Sequence, residues 1–438
     1  MRKLLLFITI ISIFFATKAQ DTLKTYWPNK QLESIGLAID SVPVGHWVYY
    51  HSNGRIYTEG DYKKGKKVGK WKAWHANGQL QQEYFADNGP FKSWYASGKL
   101  ESEGQFQNGL RSGKWKFYYE EGDLFRECQY VNDSLEGTVT EYFIGGQKSF
   151  EGPYKHGKLN GYAKWWRADG KLEMEGASED DLQEGLWKFY NADGSLGSKG
   201  EFRGGLQNGK WEYYFENGNI WKRGQFHNGM RTGTWTAWYE TGEKQREGNF
   251  VMNKEDGRWI QWYESGIVKD QGYFKGGLMT GLWEGFYDDG TKKYESGYKD
   301  NARDGIFVYW TPKGKKRSSG FYCKGEKCGN WTEYADNGQK TEEGSYVNGK
   351  KNGLWTFYNE REVKIRQQNF TEDAPSGKFV EYYPNGKKQM EGSYTNRLKD
   401  GKWTYWDANG KVMYSVLFDK GKKVKVYTEL NEEFVKPF

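Results

Sequence analysis

A glycine recurs every 24 residues through most of this 438-residue chain, and that period decides what the chain can fold into. Counted as the first residue of a unit, it falls at Gly45, Gly69, Gly89, Gly113, Gly137, Gly161, Gly185, Gly209, Gly233, Gly257, Gly281, Gly305, Gly329, Gly353, Gly377 and Gly401. Only the unit from Gly69 is shorter, at 20 residues. A fixed period of this length marks a stacked repeat architecture, in which each unit buries its apolar face against its neighbours. The spacing extends backward to a degenerate capping unit, 21–44, with Tyr26, Asn29 and Gly36 in the expected places.

The third residue of the unit is usually Trp, as at Trp115, Trp211, Trp235, Trp259, Trp331 and Trp403, and the sixth is aromatic in every copy, as at Tyr118, Tyr214, Trp238, Trp262, Tyr334 and Trp406. Asn-Gly or Asp-Gly follows, as at Asn53-Gly54 and Asn337-Gly338. These dipeptides favour the positive φ of tight hairpin turns. A second segment ends in Glu-Gly-x-aromatic, as at Glu59-Gly60-Asp61-Tyr62 and Glu391-Gly392-Ser393-Tyr394, or in a variant of it; its glycines include Gly104, Gly152, Gly200, Gly248, Gly344 and Gly392. A polar loop, such as the one at Asn108-Gly109, leads to the next unit. The unit therefore reads as strand, tight turn, strand, looser turn. Helix is excluded, since no window of helical length escapes two or more glycines.

The predicted fold is all-β: an elongated array of antiparallel hairpins over 45–424, forming a twisted single-sheet superhelical ribbon or trough. Only 36% of residues are hydrophobic, yet there are 21 Trp, 33 Tyr and 25 Phe, so the core must be built from rings. Glycine within a strand weakens it unless a ring lies across the bare backbone. The sixth-residue aromatic is the expected ring, Trp238 over Gly248 and Tyr382 over Gly392.

Residues 1–20 read as a signal peptide: Arg2 and Lys3, an apolar run from Leu4 to Ala16, and cleavage near Ala19 or Gln20. The run falls short of the roughly 20 residues a spanning helix needs. The expected destination is the periplasm, the outer surface or the exterior. Losing Arg2, Lys3 and Lys18 lowers the formal charge from +7 to +4, which gives little reason to expect nucleic acid or an anionic membrane as partner. Residues 425–438 read as a closing cap and tail, with Tyr427 and Leu430 in register with a first strand. Cys323 and Cys328 flank one turn, and export would let them oxidise to a disulfide; Cys128 occupies a strand-glycine position and is expected to be buried and inert.

The run Gly329-Asn330-Trp331, Tyr334, Asn337-Gly338, Glu343-Gly344, Tyr346 and Asn348-Gly349 resembles the MORN repeat, in particular the bacterial variant of YwqK-like proteins, some of which carry an antitoxin label. The resemblance implies an elongated array of antiparallel hairpins and a role in protein or membrane association rather than catalysis. It assigns no binding residue, because the recurring positions are those the fold itself uses. A signal sequence fits poorly with neutralising a cytoplasmic toxin. The runs Trp115-Lys116-Phe117-Tyr118-Tyr119 and Trp211-Glu212-Tyr213-Tyr214 are also similar to the hairpins of choline-binding and glucan-binding repeats, which are shorter and lack the Glu-Gly-x-Tyr half.

No catalytic, nucleotide-binding or metal-ligand spacing stands out, and His46, His51, His75, His156 and His227 are scattered. The recurrent Glu before the strand glycine repeats like a structural element, whereas a catalytic pair would be unique. The unit from Gly161 departs most, with Ala163, Ser178 and an acidic loop of Glu179, Asp180, Asp181 and Glu184, whose oxygens would suit Ca²⁺ or simply solvent. The unit from Gly353 carries Glu362 and Gln368 in glycine positions, which suggests a kink or an interface. The expected function is a non-enzymatic, cofactor-free surface for a protein partner. Carbohydrate or cell-wall binding through exposed aromatics and an antitoxin or immunity role are the alternatives.

Overall fold

The computed structural model describes residues 20–428, together with the backbone of a final strand, Glu432–Phe434. The signal-like segment up to Ala19 and Leu430 of the expected cap lie outside the described residues. Every regular element among the described residues is a strand. The chain divides into two compact units, one up to Leu206 and one from Gln207. Within each, strands pair antiparallel in chain order, the short segments Ser134–Leu135 and Lys158–Leu159 sharing a partner with the strand that follows them, giving an open sheet of hairpins that does not close into a barrel. The degenerate first unit is itself a hairpin, Asp21–Tyr26 on Leu32–Ile39. Toward the C-terminus Lys422–Thr428 adds to Val412–Asp419 and sets Tyr427 opposite Ser415.

The recurring glycine does not open its strand. In the unit from Gly233 the first strand is Met230–Trp238 and the second Lys244–Val251, so Gly233 lies inside the first. It has φ +63°, and its counterpart Gly257 has φ +81°. The register jumps at this point: Gly248 faces Trp259, but Asn249 faces Asp256. The glycine thus supplies the left-handed residue of a β-bulge that bends each first strand.

The two turns are the reverse of the expected order. At Asn53-Gly54 only the glycine has positive φ, +82°, and the amide of Gly54 donates to the His51 carbonyl at 2.9 Å, a type I turn closed by a left-handed glycine. Asn53 stays right-handed because its side chain is engaged, accepting the Arg55 amide at 3.0 Å and donating to the Ala76 carbonyl of the next unit at 2.9 Å. Asn108 and Gly109, by contrast, have φ +53° and +76° and join Gln107 directly to Leu110, the two-residue type I′ turn. The tighter turn therefore links units.

The ring over each strand glycine also differs from the expected one. Trp235 stands directly opposite Gly248, and residues three apart on a strand point to opposite faces, so Trp238 cannot reach that glycine. The ring that covers Gly248 is Trp259 of the following unit: a β-carbon added at Gly248 would lie 2.1 Å from it. Trp115 covers Gly104, Trp355 covers Gly344 and Trp403 covers Gly392 in the same way, so Tyr382 is not the ring over Gly392. Where the glycine is replaced, the facing residue shrinks. Ser296 faces Phe307 and Gln368 faces Phe379, while Cys128 shares its core cluster with Val139. Gly152 meets Ala163, Leu159 and Phe150 instead of a Trp. Gly200 stands opposite Trp187. Pairing continues through Gln368, and Glu362 takes φ +58° in the turn, the left-handed place that glycine fills in other units.

Those tryptophans and the aromatic two residues past each strand glycine form the core. Phe250 meets Trp259 edge to face at 5.1 Å and 88°, and Phe274 meets Trp283 at 5.1 Å and 87°. Trp115, Trp211, Trp259, Trp331 and Trp403 are at most 3% exposed. A single sheet buries them because each ring lies down along the sheet between its neighbours' rings rather than standing up from it.

Candidate functional site

The sheet has two chemically different faces. The tryptophan face is capped by cations that come from just before the bulge glycine: Lys327 lies 4.0 Å above the Trp331 ring, Lys351 3.9 Å above Trp355 and Lys399 4.1 Å above Trp403. Their aliphatic stems complete the burial while the ammonium group stays at the surface.

The sixth-residue aromatics lie on the other face. Tyr118 donates to Glu103 at 2.9 Å and Tyr190 to Glu175 at 2.8 Å, joining one unit to the next, and Tyr358 donates to Glu343 likewise. The Tyr118 bond holds the Glu103 carboxyl below the usual range, and Tyr358 does the same to Glu343. Burial, followed by the same bonds, pushes Tyr118 and Tyr358 up to about 12. Tyr214 donates to Glu212 of its own strand at 2.7 Å. Lys244 and Lys388 lie over Trp262 and Trp406, at 5.6 and 5.7 Å, and Arg223 lies 5.0 Å from Trp238; Tyr334 is half-buried. The recurrent Glu is therefore spent on Tyr and Lys partners, unit after unit.

A third feature, a row of donors along the edge of the Asn-Gly turns, has no constant residue. The side chain just after the sixth-residue aromatic donates to the carbonyl of the corresponding aromatic one unit on. Trp27 reaches Tyr50, His51 reaches Trp74, Tyr95 reaches Tyr118, Arg167 reaches Tyr190 and Tyr239 reaches Trp262, at 2.7 to 3.0 Å. His51 and His75 are thus rungs of this row, each using its Nε2–H. Sequence reasoning missed the row because indole, imidazole, phenol and guanidinium share nothing but an N–H or O–H at the right reach.

The acidic loop is also absorbed by the repeat. Asp181 accepts the Leu159 amide at 2.7 Å, Asp180 accepts from Asn160 at 3.2 Å, and Glu184 accepts the Gly204 amide at 2.8 Å. Among the described residues no three His, Cys, Asp or Glu side chains gather as a metal site. Cys323 and Cys328 are joined as a disulfide across the turn at Lys324-Gly325, with Cα atoms 5.8 Å apart. Cys128 is 5% exposed, and burial raises its thiol pKa.

What the fold does not absorb is a run of exposed apolar side chains on the tyrosine face. Tyr273, Leu282, Ile306 and Phe321 are 42 to 49% exposed. Ile306 and Phe321 are a direct cross-strand pair, and Tyr273 faces Thr280, two residues from Leu282.

Eleven segments, 43–64, 67–88, 87–108, 111–132, 207–228, 231–252, 255–275, 279–300, 327–348, 375–396 and 399–420, match the MORN repeat variant and together span more than half the chain. No curated protein sequence matches. Among solved structures, the TcdB2-TccC3-TEV crystal structure aligns at 9% identity over 92% of this chain and 23% of its own, with a TM-score of 0.14. The Photorhabdus luminescens Tc holotoxin pore with the TccC3-D651A mutation aligns at 9% identity over 93% and 29%, also with a TM-score of 0.14. This chain spans less than a third of either of those chains.

Proposed function

Because this chain belongs to the MORN repeat variant family, we propose that it is an exported, non-enzymatic scaffold whose sheet presents a docking surface to a protein partner. The carrying observation is the set of exposed apolar side chains Tyr273, Leu282, Ile306 and Phe321, two on the strands before Lys292–Lys299 and two on the strands after it, in a sheet whose other rings are largely covered. Contiguous exposed apolar surface on an otherwise polar protein is characteristic of interaction sites. Export is supported by the basic and apolar start of the chain and by the Cys323–Cys328 disulfide, a bond that persists in oxidising compartments.

A photo-crosslinking residue at position 306, used in intact cells, tests this reading. One protein should be captured, and the pair Ile306→Lys and Phe321→Lys should abolish its binding to the purified chain without changing the β-sheet circular dichroism. If nothing is captured above background, or if the double variant binds equally well, the reading fails. A carbohydrate reading draws on the exposed ring of Trp221, 43% accessible, and predicts retention on polysaccharide that free sugar reverses. The YwqK-like antitoxin type is a finer assignment within the family and predicts a toxin gene beside this one.

A further inference from the structure

One cavity on the tryptophan face has an excess of cations that the repeat itself does not explain. It measures about 240 Å³ and opens beside Ala237, where other units carry a ring such as Phe117 or Phe357. Lys222, Arg231 and Arg246 line it, together with tryptophan rings.

The unit five copies earlier shows what is missing. Arg111 and Arg126 occupy the positions of Arg231 and Arg246, and each has a carboxylate: Arg111 Nε donates to Asp133 at 2.9 Å, and Arg126 Nε donates to Glu141 at 2.8 Å. At the later unit the equivalents of those acids are Asn253 and Gln261, so both carboxylates have become neutral amides. The local fold is retained. Asn253 still accepts the Arg231 amide at 2.8 Å, as Asp133 accepts that of Arg111 at 2.9 Å. Arg231 still stacks on a ring, Phe250, at 4.1 Å, as Arg111 stacks on Tyr130 at 4.1 Å.

The charges are left over. The Arg231 guanidinium has no hydrogen bond or ion pair among the described residues. Lys222, 4.2 Å above the Trp221 ring and 4.4 Å above Tyr213, has no anionic partner among them either. Arg246 lies 4.1 Å above Trp259, its Nε is buried without an acceptor, and its one carboxylate, Glu255, is 3.4 Å away. Burial, aided by Arg231, lowers the basicity of Lys222; burial lowers that of Arg246 against the opposing pull of Glu255. Three cations thus converge on one acid, and guanidinium forks are shaped for carboxylates.

We infer that this pocket binds a ligand bearing one or two carboxylates, which take the places that Asp133 and Glu141 fill for the equivalent arginines. The carboxylates can belong to a free dicarboxylate or to acidic side chains of a protein segment. This site lies on the opposite face from the apolar run and does not depend on it.

The test is calorimetric titration of the whole chain with glutarate and, separately, with an acetylated, amidated Glu-Ala-Glu peptide, with the dimethyl ester of that peptide as the uncharged control. Saturable binding of glutarate with a Kd below about 10 mM assigns a free acid, and binding of the peptide alone assigns a protein segment. The pair Asn253→Asp and Gln261→Glu, which restores the internal acids of the earlier unit, should weaken binding by about tenfold or more, as should Arg231→Gln alone. Ala237→Phe should close the pocket to both ligands. The inference is overturned if neither acid saturates, if the ester binds as well as the acid, or if both the restored-acid pair and Arg231→Gln bind as the native chain does.

Discussion

The match between each strand glycine and the ring of the next unit can be broken and then repaired. Gly392→Ser places a β-carbon where it would lie 2.1 Å from Trp403, against ordinary contact from 3.4 Å, so the ring must retreat by about 1.3 Å. Trp403 is 0% exposed, and a buried tryptophan removes roughly 200 Å² from water, worth about 5 kcal/mol. Lifting the ring off the sheet forfeits roughly half of that, about 2–3 kcal/mol, and loosens its edge contact with Tyr394 at 5.2 Å. Trp403→Phe alone leaves a void costing about 1–2 kcal/mol. Together the two changes recreate the Ser296 and Phe307 pair that the chain already tolerates. The double variant should therefore be less destabilised than the sum of the single ones by about 1.5 kcal/mol or more. Repeat arrays need not unfold in one step, so the suitable readout is amide hydrogen exchange of the strand Leu398–Trp406, which reports local opening. A Gly392→Ser variant within about 0.5 kcal/mol of the native chain, or strict additivity in the double variant, would refute the reasoning.

Replacing Cys323 and Cys328 by Ser should cost at most about 2 kcal/mol of local stability, given the short loop, and thiol titration of the unreduced native chain should find only Cys128, and that only after unfolding. Tyrosine ionisation followed by absorbance should leave a subset protonated until about pH 12, among them Tyr118, Tyr190 and Tyr358. Because their folded pKa values are raised, the stability they contribute is complete below about pH 10 and is lost as the pH rises through 12, so melting temperatures should fall across that window. Glu103 and Glu343 are depressed, so their contribution is present above the ordinary carboxylate pKa and should disappear on acidification through their lower folded values, which melts at pH 2 to 5 would reveal. Tyr239→Phe removes one rung, the 2.9 Å bond to the Trp262 carbonyl, and should cost about 1 kcal/mol in exchange protection of that turn while leaving neighbouring units unchanged.

Period, hairpins and aromatic core were legible because each depends on residue types at fixed spacing. The ring partner of Gly248 was not, for a reason of parity. An aromatic at a constant position need not touch the glycine across from its strand, because alternation along the strand sends Trp238 to the face away from it. The turn order failed similarly, since Asn-Gly serves both a type I′ turn at Asn108 and a bulged type I turn at Asn53, and only hydrogen bonding to the adjacent unit separates them. The donor row from Trp27 through His51 to Arg167 conserves reach rather than identity, so no residue count exposes it. The shared charge of Arg231 and Arg246 was invisible for want of a register to pair them with Asn253 and Gln261.

That register also changes how departures from the repeat should be weighed. Ser296 with Phe307, Gln368 with Phe379 and Cys128 with Val139 each swap a glycine for a side chain and a tryptophan for something smaller, so volume is restored on the spot. Asp181 and Glu184, conspicuous in the sequence, are accounted for by backbone amides one unit away. Such paired departures relieve a packing or hydrogen-bonding debt and carry no message about partners. The triad Ala237, Asn253 and Gln261 behaves differently: one residue removes a ring, two remove charge, and no neighbour among the described residues fills the space or balances both arginines. Leaving cations without matching acids in a partly buried site is destabilising unless something outside the chain supplies the counter-charge. In a molecule built from one repeated solution, an uncompensated departure is therefore a stronger pointer to a ligand than a recurring residue.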